Sequence, residues 1–466
     1  GVTNTILGFA AIVYFSRELG AAQMGVFFLF EAVTGFLRIP ANFGLRGAVE
    51  KRISEGGTRG RILTTALLIK SIPILVVSVA VATLQDSINS YIGAKVALLI
   101  IGMLIIGELA QLEKHVILGE NRGGHVATLE VVRQVGWVGI SVPLVILGYG
   151  VEGLIYGRFA GATGMLIIGR YLSTTGFGFP TIDWAYSLMN YAKYNVFSNV
   201  QGYFYSWVDV AIIGLFLGQA EVGAYETAWK VTEATIILSN AVALILLPEI
   251  SSLHAEEKIS EITEAVKRAL SSGLILVIPA FVGSLFISRP LLRFVFGEEF
   301  AIAWIVLIIL MAEKLFQAIY RIFKRTLLGI NKPNLVTRTV LLTLALNLLL
   351  NLSLVQVGGI NGVAIATAIS FMTGTVLMYI YVSRHVPIEY PTRELQWYAL
   401  SASIMGGVLW IFHQLSDQLS FIYLILNVVL AGIVYFAVIL VNPVIRSRII
   451  DAVKRAIGRG DSQDIA

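Results

Sequence analysis

The chain has 466 residues, of which 57% are hydrophobic and 14% charged, with no cysteine and a formal net charge of +5; its mean hydropathy is +0.81. That balance leaves too little polar surface for a water-soluble globule, so an all-α polytopic membrane protein without a sizeable soluble domain is expected. The missing cysteines exclude disulfides, thiolate nucleophiles and sulfur-ligated metals, and the net charge matters through where the cations lie rather than through its sum.

Hydropathy predicts fourteen spans, near residues 1–15, 24–49, 62–84, 92–118, 124–148, 151–172, 194–217, 222–248, 269–288, 301–328, 335–357, 360–382, 396–414 and 420–441. The first is short and starts at Gly1, which reads as a trimmed start rather than a signal peptide. The second carries Glu31, Thr34, Arg38 and Asn42 at spacings of three and four, a polar stripe on an otherwise apolar helix. A charge near mid-membrane costs about 3 kcal/mol on insertion scales, so Arg38 is expected to face a bundle interior or a watered cavity. Alternate loops hold the cations: Lys51, Arg52, Arg59 and Arg61; Arg122; Arg170; Lys258, Lys267 and Arg268; Lys332 and Arg338; Arg384 and Arg393; and the tail. The positive-inside rule makes these loops and both termini cytoplasmic, in a multi-pass protein of the cell membrane. Only Arg289 and Arg293 break the trend on the other side.

The chain repeats itself. Leu19, Gly20, Ala22 and Gly25 match Leu217, Gly218, Ala220 and Gly223; LGENR at 118–122 matches LGINK at 328–332; GVEG at 150–153 matches GING at 359–362. Gly153, Gly157 and Gly161, at a spacing that lets helices approach closely, have counterparts in Gly362, Ala366 and Ser370. Six spans per repeat give halves of the same orientation, related by a pseudo-two-fold axis along the membrane normal. The expected plan is an N-lobe at 1–175, an interfacial cytoplasmic linker at 176–193 and a C-lobe at 194–388. Two extra spans follow at 389–445, then a basic amphipathic cytoplasmic tail at 446–466.

Charges recur at span depth. Arg38, Lys70, Arg133, Arg158, Lys230, Lys314 and Arg321 together outnumber the acids near them, which predicts a cationic cavity between the lobes suited to a phosphate headgroup. Local pairing is open for several of them: Glu130 with Arg133, Glu226 with Lys230, and an unassigned acid or carbonyl with Arg158, while Lys70 lies near enough to the inner surface to snorkel. Glu31, Asp209 and Glu233 are the candidates for carrying a coupling proton or sodium ion, the only cofactor foreseen. Catalytic and metal-ligand signatures are missing, since His115, His125, His254, His385 and His413 are scattered and there is no Walker loop or nucleophile elbow.

The run YFSRELGAAQMGVFFLFEAVTGFLRIPANFGLRGAVEKRISEG resembles the first loop and second span of polysaccharide-export flippases of the Wzx type, in the superfamily that also holds MATE drug exporters and the lipid II flippase MurJ. LGQAEVGAYETAWKV, LLPEIS and LLGINKPNLV resemble the second half of that family. The resemblance implies translocation of a polyprenyl- or dolichyl-linked oligosaccharide to the outer leaflet by alternating access. It further implies membrane lipids and polysaccharide-assembly proteins as partners, no nucleic acid, a monomer and no enzymatic activity. Two other readings remain open at this point: an ion-coupled exporter of cationic drugs, and an integral-membrane glycosyltransferase or polymerase, for which the outer loops are short.

Overall fold

The computed structural model describes residues 2–415, 420–443 and 445–447, and its regular elements are helices. Contacts divide the chain into two compact units: Gly1–Thr227 with Asn351–Val363, and Ala228–Leu350 with Ala364–Ala466. Most of the tail predicted at 446–466 lies outside the described residues.

In the first unit α1 (Val2–Asn42) is followed by α2 (Leu45–Ser54), α3 (Arg59–Thr83), α4 (Gln85–Ile92), α5 (Ala97–Gly119), α6 (Gly123–Ile146), α7 (Gly150–Leu172) and α8 (Ile182–Phe216). Next comes α9 (Gln219–Thr235), which runs on into the second unit, where α10 (Ile237–Ala255), α11 (Ile259–Leu274), α12 (Val277–Leu291) and α13 (Trp304–Gly329) lie. The chain closes with α14 (Pro333–Ser383), α15 (Thr392–Leu415) and α16 (Phe421–Ile439). Leu68, Ile72, Leu75, Val76 and Val79 form an exposed apolar stripe on α3, stable only where lipid replaces water.

By length and composition ten described helices can cross a membrane, or eleven when α4 and α5, bent by 96°, are taken as one span. The fourteen predicted spans are therefore not fourteen separate helices. The first two merge in α1, broken at Gly20 (φ 75°), and the eleventh and twelfth merge in α14, broken at Gly359 (φ 54°). A glycine tolerates that left-handed backbone without a Cβ clash, so helical bonding resumes at once and no loop is needed. Two boundaries also differ from prediction. The second span ends at Asn42, because Pro40 removes a backbone donor and Phe43 and Gly44 turn to φ 44° and 76°. The seventh begins at Ile182 rather than 194, where Thr181 accepts the Trp184 amide at 3.4 Å as an N-cap, so two thirds of the predicted linker is helix.

Equivalent repeat positions make equivalent local contacts. Asn121 and Asn331 have φ of 61° and 58°. A Cβ added to Gly119 would lie 2.9 Å from the Ile53 Cβ, and one added to Gly329 would lie 2.9 Å from the Ile250 Cβ. Gly153 abuts Leu144 as Gly362 abuts Leu354, at 3.0 and 3.2 Å from the respective Cβ.

The segment between α7 and α8, residues 173–181, is non-helical and strapped down. Glu120 Oε1 accepts from Ser173 Oγ (2.9 Å), the Thr174 and Thr175 amides (2.9 and 2.8 Å) and Thr175 Oγ1 (2.7 Å). Burial alone would raise the Glu120 carboxyl, but the donors from Thr175, Ser173 and Thr174 outweigh it and hold it below the usual range. A depressed folded value means the strap is fully stabilising above the unfolded glutamate value and weakens as pH falls through the folded one. Glu120→Ala strands two amides whose loss costs about 1–3 kcal/mol. Thr174 and Thr175 should then exchange their amide protons on the order of 10- to 100-fold faster, which hydrogen-exchange mass spectrometry reads directly. Unchanged exchange would mean the carboxylate does not hold the strap.

Candidate functional site

The polar stripe on α1 continues one turn further than predicted, through Phe43 and Gly44 to Arg46 on α2. There it meets Glu108 of α5, which is fully buried. Three cations converge on that one carboxylate: Lys70 Nζ at 2.7 Å from Oε2, Arg46 on Oε1, and Arg38 Nε at 4.0 Å from Oε1. Lys70 also donates to Asn42 Oδ1 at 3.3 Å. Lys70 does not snorkel, since its side chain is 1% exposed, while Arg38 is 19% exposed and lies against Gly107, where a Cβ would come within 2.7 Å of Nη2.

A second group adjoins in the same unit. Arg158 on α7 finds its counterion in Glu31 at 3.2 Å and lies 3.9 Å above the Trp137 ring, which stacks on Phe27. Cation–π contact of this kind holds a desolvated guanidinium by about 2 kcal/mol. Arg133 pairs with Glu130 at 2.9 Å, as the spacing allowed, and Lys114 shares that acid at 2.6 Å. Arg38 and Arg133 both lie within Coulombic reach of Arg158. Among the described residues, Arg38, Arg46, Lys70, Lys114, Arg133 and Arg158 are thus held by Glu31, Glu108 and Glu130 in linked ion pairs. The two oxygens of Asp209 accept from Tyr225 Oη and Asn351 Nδ2, each at 2.7 Å.

The other predicted residues meet in the second unit. Lys314 on α13, fully buried, contacts Glu233 at 2.9 Å and Glu313 at 3.1 Å and lies 3.8 Å above the Trp229 ring. Gln317 accepts from both Lys314 (3.4 Å) and Arg321 (3.1 Å), and Arg321 reaches Asn240. Lys230 is within Coulombic reach of Glu233. Asn240 is the repeat counterpart of Asn42, so each unit uses an asparagine at the same register to accept from a cation at span depth. Sequence reasoning missed Arg46 and the central role of Glu108; the continuing spacing of Arg38, Asn42 and Arg46 was the signal for the first.

Broken helices, intramembrane charges gathered on polar stripes and apolar outer faces define a polytopic helical membrane protein. The fold agrees: the inward-closed lipid II flippase MurJ superposes with a TM-score of 0.78 at 17% identity, covering 94% of this chain and 97% of that one. An inward-facing multidrug MATE transporter superposes at 0.63 and 15% identity over 81% of this chain and 93% of that one. In sequence the chain is 43% identical over 440 residues to the probable low-salt glycan biosynthesis flippase Agl15 of Haloferax volcanii, covering 94% of this chain and 93% of that one. The probable flippase AglR of the same organism is 29% identical over 88% of this chain and 86% of its own length. Residues 15–304 match the polysaccharide biosynthesis protein family, and residues 208–430 the lipid II flippase MurJ family. The chain belongs to the polysaccharide biosynthesis protein family.

Proposed function

We propose that the chain is the glycan-biosynthesis flippase its family relationships describe, moving a lipid-linked oligosaccharide from the cytoplasmic to the outer leaflet, and that the phosphate of that lipid is gripped by the cations around Arg38. The observation that carries this reading is the concentration of positive charge: three cations share Glu108, and Arg38, part-exposed, has no hydrogen-bond partner for Nε among the described residues. Excess positive charge in a membrane interior calls for an anion, and guanidinium forks fit phosphate. Arg38, Arg133 and Arg158, between about a fifth and a third exposed, are the cargo contacts of this unit. Lys70 sits behind them as a buried charge. Lys230 and Arg321 form the second contact set, with the fully buried Lys314 behind them as Lys70 is in the first, and Glu31, Asp209 and Glu233 are the acids that exchange a proton or sodium ion during the cycle.

The lipid tail has a support of its own. Between α12, α13, α15 and α16 lies an apolar cavity of about 240 Å³, lined by Pro279, Gly283, Met311, Met405, Leu409 and Ala431 among others, wide enough for an isoprenoid segment. Fourteen crossings follow when α1 and α14 each cross twice at their glycine breaks, α4 with α5 cross once and α8 crosses alone; the loops rich in lysine and arginine then lie inside with both termini.

Reconstitution into liposomes, with outer-leaflet appearance of a polyprenyl-phosphate-linked glycan as the readout, tests the reading. Losing one charge-assisted hydrogen bond of about 1.5–3 kcal/mol should slow Arg38→Ala and Arg158→Ala on the order of 10- to 100-fold. Wild-type rates in both would remove the headgroup site from this cluster. Turnover of the lipid-linked sugar in detergent, with no vesicle present, would instead speak for an enzyme.

A further inference from the structure

The second unit holds another cavity, quite unlike the apolar one: about 810 Å³, between α11, the loop at 384–391 and the start of α15, with Asn442 and Pro443 closing it beyond the end of α16. Its frame is tied down from one face of α11, by residues spaced four apart. Thr263 Oγ1 donates to the Pro387 carbonyl at 3.0 Å, Lys267 Nζ lies 2.6 Å from Glu389, and the Ser271 and Tyr398 hydroxyls meet at 2.9 Å. Two aromatic rings stand in the wall. Trp397 is half-buried against the core of Tyr398, Met405 and Tyr435, and Tyr390, 44% exposed, has Tyr379 at 6.2 Å between ring centroids. Hydrogen-bonding groups complete the lining: Arg393, Glu394 and Gln396 from the first turns of α15, and Glu264 and Lys267 from α11. Lys267 is committed to Glu389 and Glu264, whereas Arg393 has no ion-pair partner among the described residues.

Such a lining selects by chemistry. Two acids in the wall and a lysine already neutralised make a poor phosphate site, and so many polar groups make a poor lipid-tail site. A sugar offers what the wall can use: an apolar C–H face for an aromatic ring, and hydroxyls that both donate and accept. Carboxylate, amide and guanidinium edges bind neighbouring hydroxyls in pairs. The volume is that of a small-molecule site. We propose that this cavity is a saccharide-binding pocket, in which sugar rings of the lipid-linked glycan are held before transport, with Tyr390 and Trp397 as stacking faces and Arg393 and Gln396 as hydroxyl partners. The proposal rests on the flippase reading, which puts the untransported glycan on the side to which the loops of Lys267 and Arg393 are assigned. It gives a role to α15, which lies outside the six-span repeats. The pocket is distinct from the headgroup cluster, because it belongs to the second unit and Arg38 to the first.

The chain contains no cysteine, so a single thiol reports the pocket cleanly. Gln396 is exposed in the lining, and Gln396→Cys should react readily with a maleimide in nanodiscs free of sugar-bearing lipid and detergent. Glycan released by mild acid from the lipid-linked pool of the source cells should slow that reaction saturably, by about tenfold once nine tenths of the sites are filled. A thiol at Ser251→Cys, exposed on α10 and outside the lining, should keep its rate. Adding Arg393→Ala to Gln396→Cys should raise the glycan concentration needed on the order of 10- to 100-fold, the loss of one charge-assisted hydrogen bond, and Tyr390→Ala should raise it too. Both changes are at exposed side chains, so the fold is expected to survive them. No slowing by the released glycan overturns the proposal, as does slowing that Arg393→Ala and Tyr390→Ala leave unchanged. Slowing by polyprenyl phosphate or phosphatidylglycerol in place of glycan makes the cavity a headgroup site, and slowing only by a membrane glycolipid makes it a site for bilayer lipid; either result overturns the assignment to cargo. Because the readout is binding without transport, its failure leaves the flippase reading standing, and protected thiols in a protein that moves no lipid would overturn that reading alone.

Discussion

Replacing Glu108 by glutamine is expected to cost this protein its fold before it costs it transport. Glu108 is fully buried, and Lys70, its partner at 2.7 Å, is 1% exposed. Removing one member of such a pair leaves an ammonium with neither water nor counterion, a loss of about 3–5 kcal/mol. Folded proteins hold only about 5–15 kcal/mol in total. Glu108→Gln should therefore give a sharply lower yield and melting temperature in detergent, read by thermal shift and size-exclusion profile. Adding Lys70→Met should recover most of the loss, because Arg38 and Arg46 retain some exposure and can hydrate. Glu130→Gln is the contrasting case: its partners Lys114 and Arg133 are 23% and 35% exposed, where an ion pair contributes at most about 1 kcal/mol. Equal melting temperatures for Glu108→Gln and wild type would show that the three cations do not depend on this acid.

Gly157→Leu should be comparably damaging, through shape rather than charge. A Cβ at Gly157 would lie 2.0 Å from Ser141 Oγ and 2.6 Å from the Trp137 carbonyl oxygen, and one at Gly161 would lie 2.3 Å from the Arg133 carbonyl oxygen. Those two carbonyls belong to the α6 backbone and cannot rotate away as a side-chain end can. Overpacking costs about 1–3 kcal/mol even where neighbours yield, and here α7 must move bodily off α6. That shift also drags Arg158 from its place over Trp137, so Gly157→Leu is expected to lose both folded yield and transport. Gly139→Leu, on the same pair of helices but facing open space, should do neither. Equal behaviour of the two variants in size-exclusion yield would refute the close-packing account.

Much of the site was legible because lipid makes intramembrane charge conspicuous. Arg38, Lys70, Arg133 and Arg158 stand out against apolar neighbours, and a residue that costs several kilocalories to place must have company. What company it keeps is another matter. The Arg158–Glu31 pair joins α7 to α1, and the Lys314–Glu233 pair joins α13 to α9, across separations for which no helical spacing offers a hint. Spacing does reveal Glu130 with Arg133, which are neighbours on one helix face.

The fold divides along the same line. Apolar runs, turn glycines and alternate basic loops follow from hydropathy and local backbone preference, which the chain carries residue by residue, so helical class, membrane placement and repeated motifs were determined by the sequence itself. Only the tertiary structure decided that α1 and α14 are continuous across Gly20 and Gly359, that Arg46 joins the stripe, and that Glu108 collects three cations. Each of these depends on helices remote in sequence meeting at a few ångströms, and side-chain packing, unlike hydropathy, is not a property of any one segment.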